Sequence, residues 1–113
     1  MTNTKIYNKL IRDNIPEIIE KDKKSCFTTV LSDEQFKVEL KKKLIEESKE
    51  LSIANTKDDL VNELADIHGL LDNIRETYGI TQDEVIAYQQ KKVASNGKFD
   101  KKLFLISVEE NHE

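Results

Sequence analysis

The sequence predicts an all-α fold, a helical bundle of three to four helices, with short extended or β segments near residues 26–31 and 99–108. Three observations carry that prediction. Apolar residues recur at helical spacing along two long stretches. Two Ser/Thr-x-x-Gln/Glu capping boxes mark helix starts. With three Gly and one Pro, the chain has little material for the many turns of an all-β fold.

Residues 1–11 read as extended or irregular. A short helix follows around Ile15–Lys21, with Pro16 in its first turn, where a missing N–H costs nothing. Cys26-Phe27-Thr28-Thr29-Val30-Leu31 is β-branched and aromatic, and reads as a short strand or an extended connector. Ser32-Asp33-Glu34-Gln35 is the first capping box and opens a long helix. Its apolar stripe is Phe36, Leu40, Leu44, Leu51 and Ala54, and the position that completes it between Leu44 and Leu51 is Glu47. That carboxylate therefore falls in the buried seam, where it needs a neutralising partner.

The next helix starts near Thr56 or Lys57, with a stripe of Leu60, Leu64, Ile67, Leu71, Ile74 and Tyr78 flanked by Glu63 and Asp66. Gly79 ends it. Thr81-Gln82-Asp83-Glu84 is the second capping box and opens a helix through Val85, Ile86, Tyr88 and Val93 to Asn96-Gly97. The tail, with Phe99, Leu103, Phe104, Leu105, Ile106 and Val108, is apolar enough to suggest a short strand.

At 113 residues the chain reads as one domain, residues 1–113, with a modest core. Charged residues make up 35% and hydrophobic residues 37%, a polar balance for a globular protein. Lean charged helices commonly complete their core by self-association. A net charge of −4 argues against nonspecific nucleic-acid binding and against an anionic membrane surface. Cys26 is the only cysteine, which leaves no internal disulfide and no thiol partner for zinc. There is no apolar N-terminal stretch of signal-peptide type and no run long enough to span a membrane, so a cytoplasmic location is expected.

The chemistry lies in two acidic clusters. Glu46-Glu47-Ser48-Lys49-Glu50 reads E-E-x-x-E, and Glu63-Leu64-Ala65-Asp66 reads E-x-x-D after a gap of 12 residues. Residues three apart share a helix face, roughly 5–6 Å apart at Cβ. One such cluster is ordinarily a solvated surface. Two on consecutive helices, in or beside the apolar stripes, direct four or five carboxylates to one spot. A cluster of oxygen ligands suits Mg²⁺, with Mn²⁺ the alternative. Such a centre suggests phosphoryl chemistry, in which a non-ligating carboxylate orients the attacking water. Cations for the rest of a polyphosphate are available at Lys9, Arg12, Lys91, Lys92, Lys98, Lys101 and Lys102, although each alone reads as a solvated charge. No glycine-rich P-loop is present. His68 reads as a helix residue close to the acidic site, with metal ligation or proton transfer as the alternative. Cys26 reads as a small core residue.

The spacing E-E-x-x-E, 12 residues, E-x-x-D resembles the metal motif of the MazG-like all-α nucleoside triphosphate pyrophosphohydrolases, a superfamily that includes dimeric dUTPases and phosphoribosyl-ATP pyrophosphohydrolase. Tyr7-Asn8-Lys9-Leu10-Ile11-Arg12-Asp13-Asn14-Ile15-Pro16-Glu17-Ile18-Ile19 is similar to the N-terminal signature of a small single-domain branch. Gly97-Lys98-Phe99-Asp100-Lys101-Lys102 is similar to that branch's Gly-Gly-Phe-x-Lys-Arg ending. The three segments occur in order and cover nearly the whole chain. The resemblance implies hydrolysis of the α–β phosphoanhydride of a nucleotide to a monophosphate and pyrophosphate. It assigns Glu47, Glu50, Glu63 and Asp66 to Mg²⁺, and leaves Glu46 as a ligand through water or, preferably, as the base that orients the nucleophile. Asn73, two turns past Asp66, becomes a candidate for sugar or base contact. The family also pairs its bundles, so a homodimer or tetramer is expected. Two departures fall where the nucleotide would be held: Gln90 where relatives often carry Asn, and Lys98 in place of the second Gly. The competing readings are a catalytically silent helical interaction module, whose carboxylates should form ordinary ion pairs, and a phosphoribosyl-ATP pyrophosphohydrolase.

Overall fold

The computed structural model describes residues 3–111 and contains four helices: α1, Ile15–Lys21; α2, Asp33–Ile53; α3, Lys57–Thr77; and α4, Gln82–Asn96. The all-α class is the one expected, and no strand occurs among the described residues. The chain divides into two compact units, one ending at Ile80 and the other beginning at Thr81.

In the first unit α2 and α3 pack along each other as a hairpin. Each has 21 residues, about 31 Å of helix, and residues 54–56 join them. So short a connection makes them antiparallel neighbours. The α2 start is the capping box read from the sequence: Ser32 Oγ accepts from Gln35 N–H at 3.2 Å, and Gln35 Oε1 accepts from Ser32 N–H at 3.1 Å. At the α3 start Thr56 Oγ1 accepts from Asp59 N–H at 3.1 Å, with Asp58 and Asp59 on the positive end of the helix dipole. The α3 end is a Schellman turn. Gly79 takes φ +68°, its N–H reaches Glu76 O at 3.2 Å, and Ile80 N–H reaches Arg75 O at 2.9 Å. Beside it the ammonium groups of Lys37 and Lys41 lie 5.1 and 4.9 Å from the Tyr78 ring, clasping the end of α3 to α2.

Leu40, only 1% exposed, is the one fully buried side chain among the described residues. It and Leu70 lie at equal distances from the hairpin turn, 13 residues each. The α3 stripe splits. Ile67 and Ile74 are half-buried, whereas Leu60, Leu64, Leu71 and Tyr78 are exposed. At 100° per residue these four lie roughly 100° around the helix from Glu63, Asp66 and Leu70. The seam with α2 is thus centred on the acidic edge of the stripe, and the apolar edge is left uncovered.

The segment before α1 crosses the hairpin. Arg12 reaches α3 and Lys9 reaches α2 through ion pairs described below. Ile15 N–H bonds to Arg12 O at 3.1 Å, turning the chain into α1 with Pro16 in the first turn.

In the second unit Thr81 Oγ1 accepts from Glu84 N–H at 3.1 Å to start α4, and Gly97, at φ +82°, ends it. The strand suggested for residues 99–108 does not form. Phe99, Phe104 and Ile106 are exposed, and the local backbone bond is a turn, Lys102 N–H to Phe99 O at 3.1 Å. The strand option at residues 26–31 fails likewise, leaving the extended connector, with Phe27 and Val30 in solvent. Both segments have β-prone side chains, but a strand exists only through a partner's ladder, and no second strand is present among the described residues.

Candidate metal centre

Glu47 lies six residues before the end of α2, and Glu63 lies six residues after the start of α3. The hairpin therefore sets them opposite each other, about 9 Å from the turn. Asp66 follows one turn along the same face as Glu63. Glu47, Glu63 and Asp66 each offer an oxygen atom, and the three atoms lie within 4.8 Å of one another. Glu47 is the seam residue expected from the stripe, with its side chain only 12% exposed. Glu50 is exposed and outside this trio. One turn nearer the hairpin end, its side chain extends to water, although its charge still reaches Glu63.

The cations are unevenly shared. Arg12 Nη2 donates to Asp66 Oδ1 at 2.7 Å. Lys43 Nζ stands 3.7 Å from Glu47 and 3.6 Å from Glu46, and Lys9 Nζ stands 3.6 Å from Glu46. Among the described residues no lysine or arginine pairs with Glu63. Apart from Glu47, its Oε1 meets only Asn62 Nδ2, at 3.5 Å, and its Oε2 is shielded from solvent. The Glu63 carboxyl is accordingly pushed up from its ordinary 4.5 to about 7. The largest cause is a hydrogen bond with the Glu47 carboxyl, which requires one of the two to hold a proton. Lost hydration and the charges of Glu47, Asp66 and Glu50 add in the same direction.

A donor set made only of carboxylate oxygens, two of which must share a proton where no cation separates them, fits a hard divalent cation such as Mg²⁺ or Mn²⁺. Glu47, Glu63 and Asp66 are the residues placed to hold it.

Glu47 and Asp66 also line a cleft of about 530 Å³. Its walls include Lys9, Arg12 and Asn73, three residues singled out from the sequence, and its floor includes Phe36, Leu40 and Leu70. Asn73 Nδ2 bonds to Gly69 O at 3.3 Å. Glu46, 100° further round α2 from Glu47, lines a neighbouring recess of about 190 Å³ together with Lys9 and Lys43. Lys91 and Lys92 lie on α4 and Lys101 in the following turn, all in the second unit and exposed. His68 is exposed and outside the acidic trio, and Cys26 is a half-buried free thiol.

Lys43 is the functional candidate that the sequence reading passed over. It lines both the cleft and the recess and is the cation nearest Glu47. Its spacing of three and four residues before Glu46 and Glu47 was the available signal. No protein-family model, curated protein or solved structure matches the chain.

Proposed function

We propose that the chain is a Mg²⁺-dependent pyrophosphohydrolase of the MazG-like type, cleaving the α–β phosphoanhydride of a nucleotide to a nucleoside monophosphate and pyrophosphate. The observation that carries this reading is the acidic trio, two members of which, Glu47 and Asp66, line a cleft that also presents Lys9, Arg12 and Asn73. When bound, the cation supplies charge neutralisation of the phosphate oxygens and an acidified water. Glu47, Glu63 and Asp66 would hold it, with Glu50, one turn from Glu47, as the further ligand that the resemblance assigns. Lys9 and Arg12 offset the negative charge of the polyphosphate, while Asn73 contacts the sugar or base over the apolar floor of Phe36 and Leu70. Glu46, free of the trio, orients the attacking water. Lys91, Lys92 and Lys101 belong to the proposal as further phosphate contacts, on the resemblance of the C-terminal segment alone. A cytoplasmic location and self-association also belong to it, the latter supported by the uncovered apolar edge of α3. No helix among the described residues is long and apolar enough to cross a membrane.

The silent interaction module has an observation in its favour. The pairs Arg12–Asp66, Lys43–Glu47 and Lys9–Glu46 are what that reading expects. What favours the enzyme is Glu63, which has no lysine or arginine partner among the described residues and is crowded by Glu47 and Asp66. The test is pyrophosphate release from a panel of canonical, deoxy and damaged nucleoside triphosphates and phosphoribosyl-ATP, with Mg²⁺. Glu47→Gln and Asp66→Asn should each lower the rate about a hundred-fold or more. Release from no substrate, or full activity in both variants, rejects the enzyme.

A further inference from the structure

We propose that Arg12 is an exchangeable counter-ion: it occupies Asp66 while the centre lacks a metal, and is transferred to the phosphate chain when a divalent cation takes Asp66. The inference rests on the reading of Glu47, Glu63 and Asp66 as a cation centre. The geometry behind it is specific to Arg12. Its Nη2 bonds to Oδ1 of Asp66, a member of the acidic trio, at 2.7 Å. A guanidinium held on Asp66 and a divalent cation bound at the trio repel each other across one carboxylate. The side chain is free to leave, because Arg12 is 73% exposed. An ion pair so wet contributes at most about five-fold to an equilibrium constant. Its backbone stays fixed meanwhile, since Arg12 O accepts Ile15 N–H at the entry to α1. One guanidinium nitrogen makes the pair, so the other donors are left over at the cleft that Arg12 and Asp66 both line. An anion entering that cleft is the ligand able to relieve the repulsion between the displaced guanidinium and the incoming metal.

The consequence is coupling. Metal binding releases Arg12 for phosphate, and phosphate holds Arg12 away from Asp66, so each raises the other's affinity by the same factor. Removing Arg12 then acts with opposite sign on the two ligands. The experiment is a calorimetric titration of the full chain with Mn²⁺ alone, followed by inorganic tripolyphosphate at saturating Mn²⁺. Wild type, Arg12→Ala, Arg12→Lys and Asp66→Asn are compared. Arg12→Ala should bind Mn²⁺ about two- to five-fold more tightly than wild type. It should bind tripolyphosphate about ten-fold or more weakly. Arg12→Lys, which keeps the charge and loses the fork, should hold Mn²⁺ as wild type does and fall between the others for tripolyphosphate. If Asp66→Asn abolishes Mn²⁺ binding but Arg12→Ala binds Mn²⁺ no more tightly than wild type, the exchange is wrong and the centre stands. If neither wild type nor Arg12→Ala binds Mn²⁺, the centre itself fails and the exchange with it.

Discussion

Glu63 combines a shielded oxygen, no lysine or arginine partner among the described residues and a second carboxyl 16 positions earlier in the chain, and that combination has a measurable pH signature. Its carboxyl titrates near 7 in the folded protein, against 4.5 when unperturbed. Between those values the folded state holds a proton that the unfolded state has released, so stability declines as pH rises through the window. The stabilising contribution is complete below about 4.5 and gone above about 7. Urea midpoints of the metal-free protein should therefore fall from pH 5 to pH 8 more steeply in wild type than in Glu63→Gln, which cannot ionise. Equal slopes would refute the assignment of the titrating group. Mg²⁺ at pH 8 should restore the wild-type midpoint and leave the variant's nearly unchanged. The acidic residues themselves were legible in the sequence because helical spacing alone puts Glu47 in the seam. Lys43 was not, because a lysine one turn from a glutamate is the commonest of surface pairs, and only the hairpin shows it shielded between two pockets. Glu50 fails to join the trio for the converse reason: the sequence sets a residue's helix face, but not the rotamer an exposed side chain adopts.

At the scale of elements, the helix boundaries were legible because each is written in local chemistry. Ser32 with Gln35, Thr56, Thr81, Pro16, Gly79 and Gly97 all act within a turn of their own position. The strands were not, since a ladder depends on a partner elsewhere that local composition cannot report. The two glycines of the α3 region make the local argument testable. Gly79 sits at φ +68°, where an alanine is strained whatever space surrounds it, so Gly79→Ala should cost about 1 kcal/mol. Gly69 lies inside the helix, and a Cβ added there meets nothing within 4 Å. Gly69→Ala should stabilise by roughly 0.5–1 kcal/mol, because it removes unfolded-state freedom without a clash. Chemical denaturation of both variants reads the difference. A Gly79→Ala variant that is stabilised would show that the Schellman end of α3 is not formed in solution.

For the whole molecule, the decisive feature is how little of the apolar surface the hairpin covers. Leu40 alone is fully buried among the described residues, while Leu60, Val61, Leu64 and Leu71 stand exposed on one helix. Leu64 is 53% exposed, a position that a lone soluble domain fills with a polar residue at little cost. The periodicity made this stripe legible as something to be covered, but not what covers it: α2 takes the edge bearing Glu63 and Asp66, because that edge also carries Ile67, Leu70 and Ile74. The remaining edge fits a second copy of the chain, since isologous pairing sets the same apolar stripe against itself. Light scattering on a size-exclusion column should therefore give at least a dimer for wild type. Leu64→Glu, placing like charges across the two-fold, should shift the protein to monomer while circular dichroism retains the helical signal. Because the acidic trio and its cleft are built within one α2–α3 hairpin and the segment before α1, Mn²⁺ binding should survive in the Leu64→Glu monomer. A wild-type chain that runs as a monomer at every concentration would show that the exposed stripe serves another purpose. A monomeric variant that loses Mn²⁺ would show that the partner holds the centre in shape.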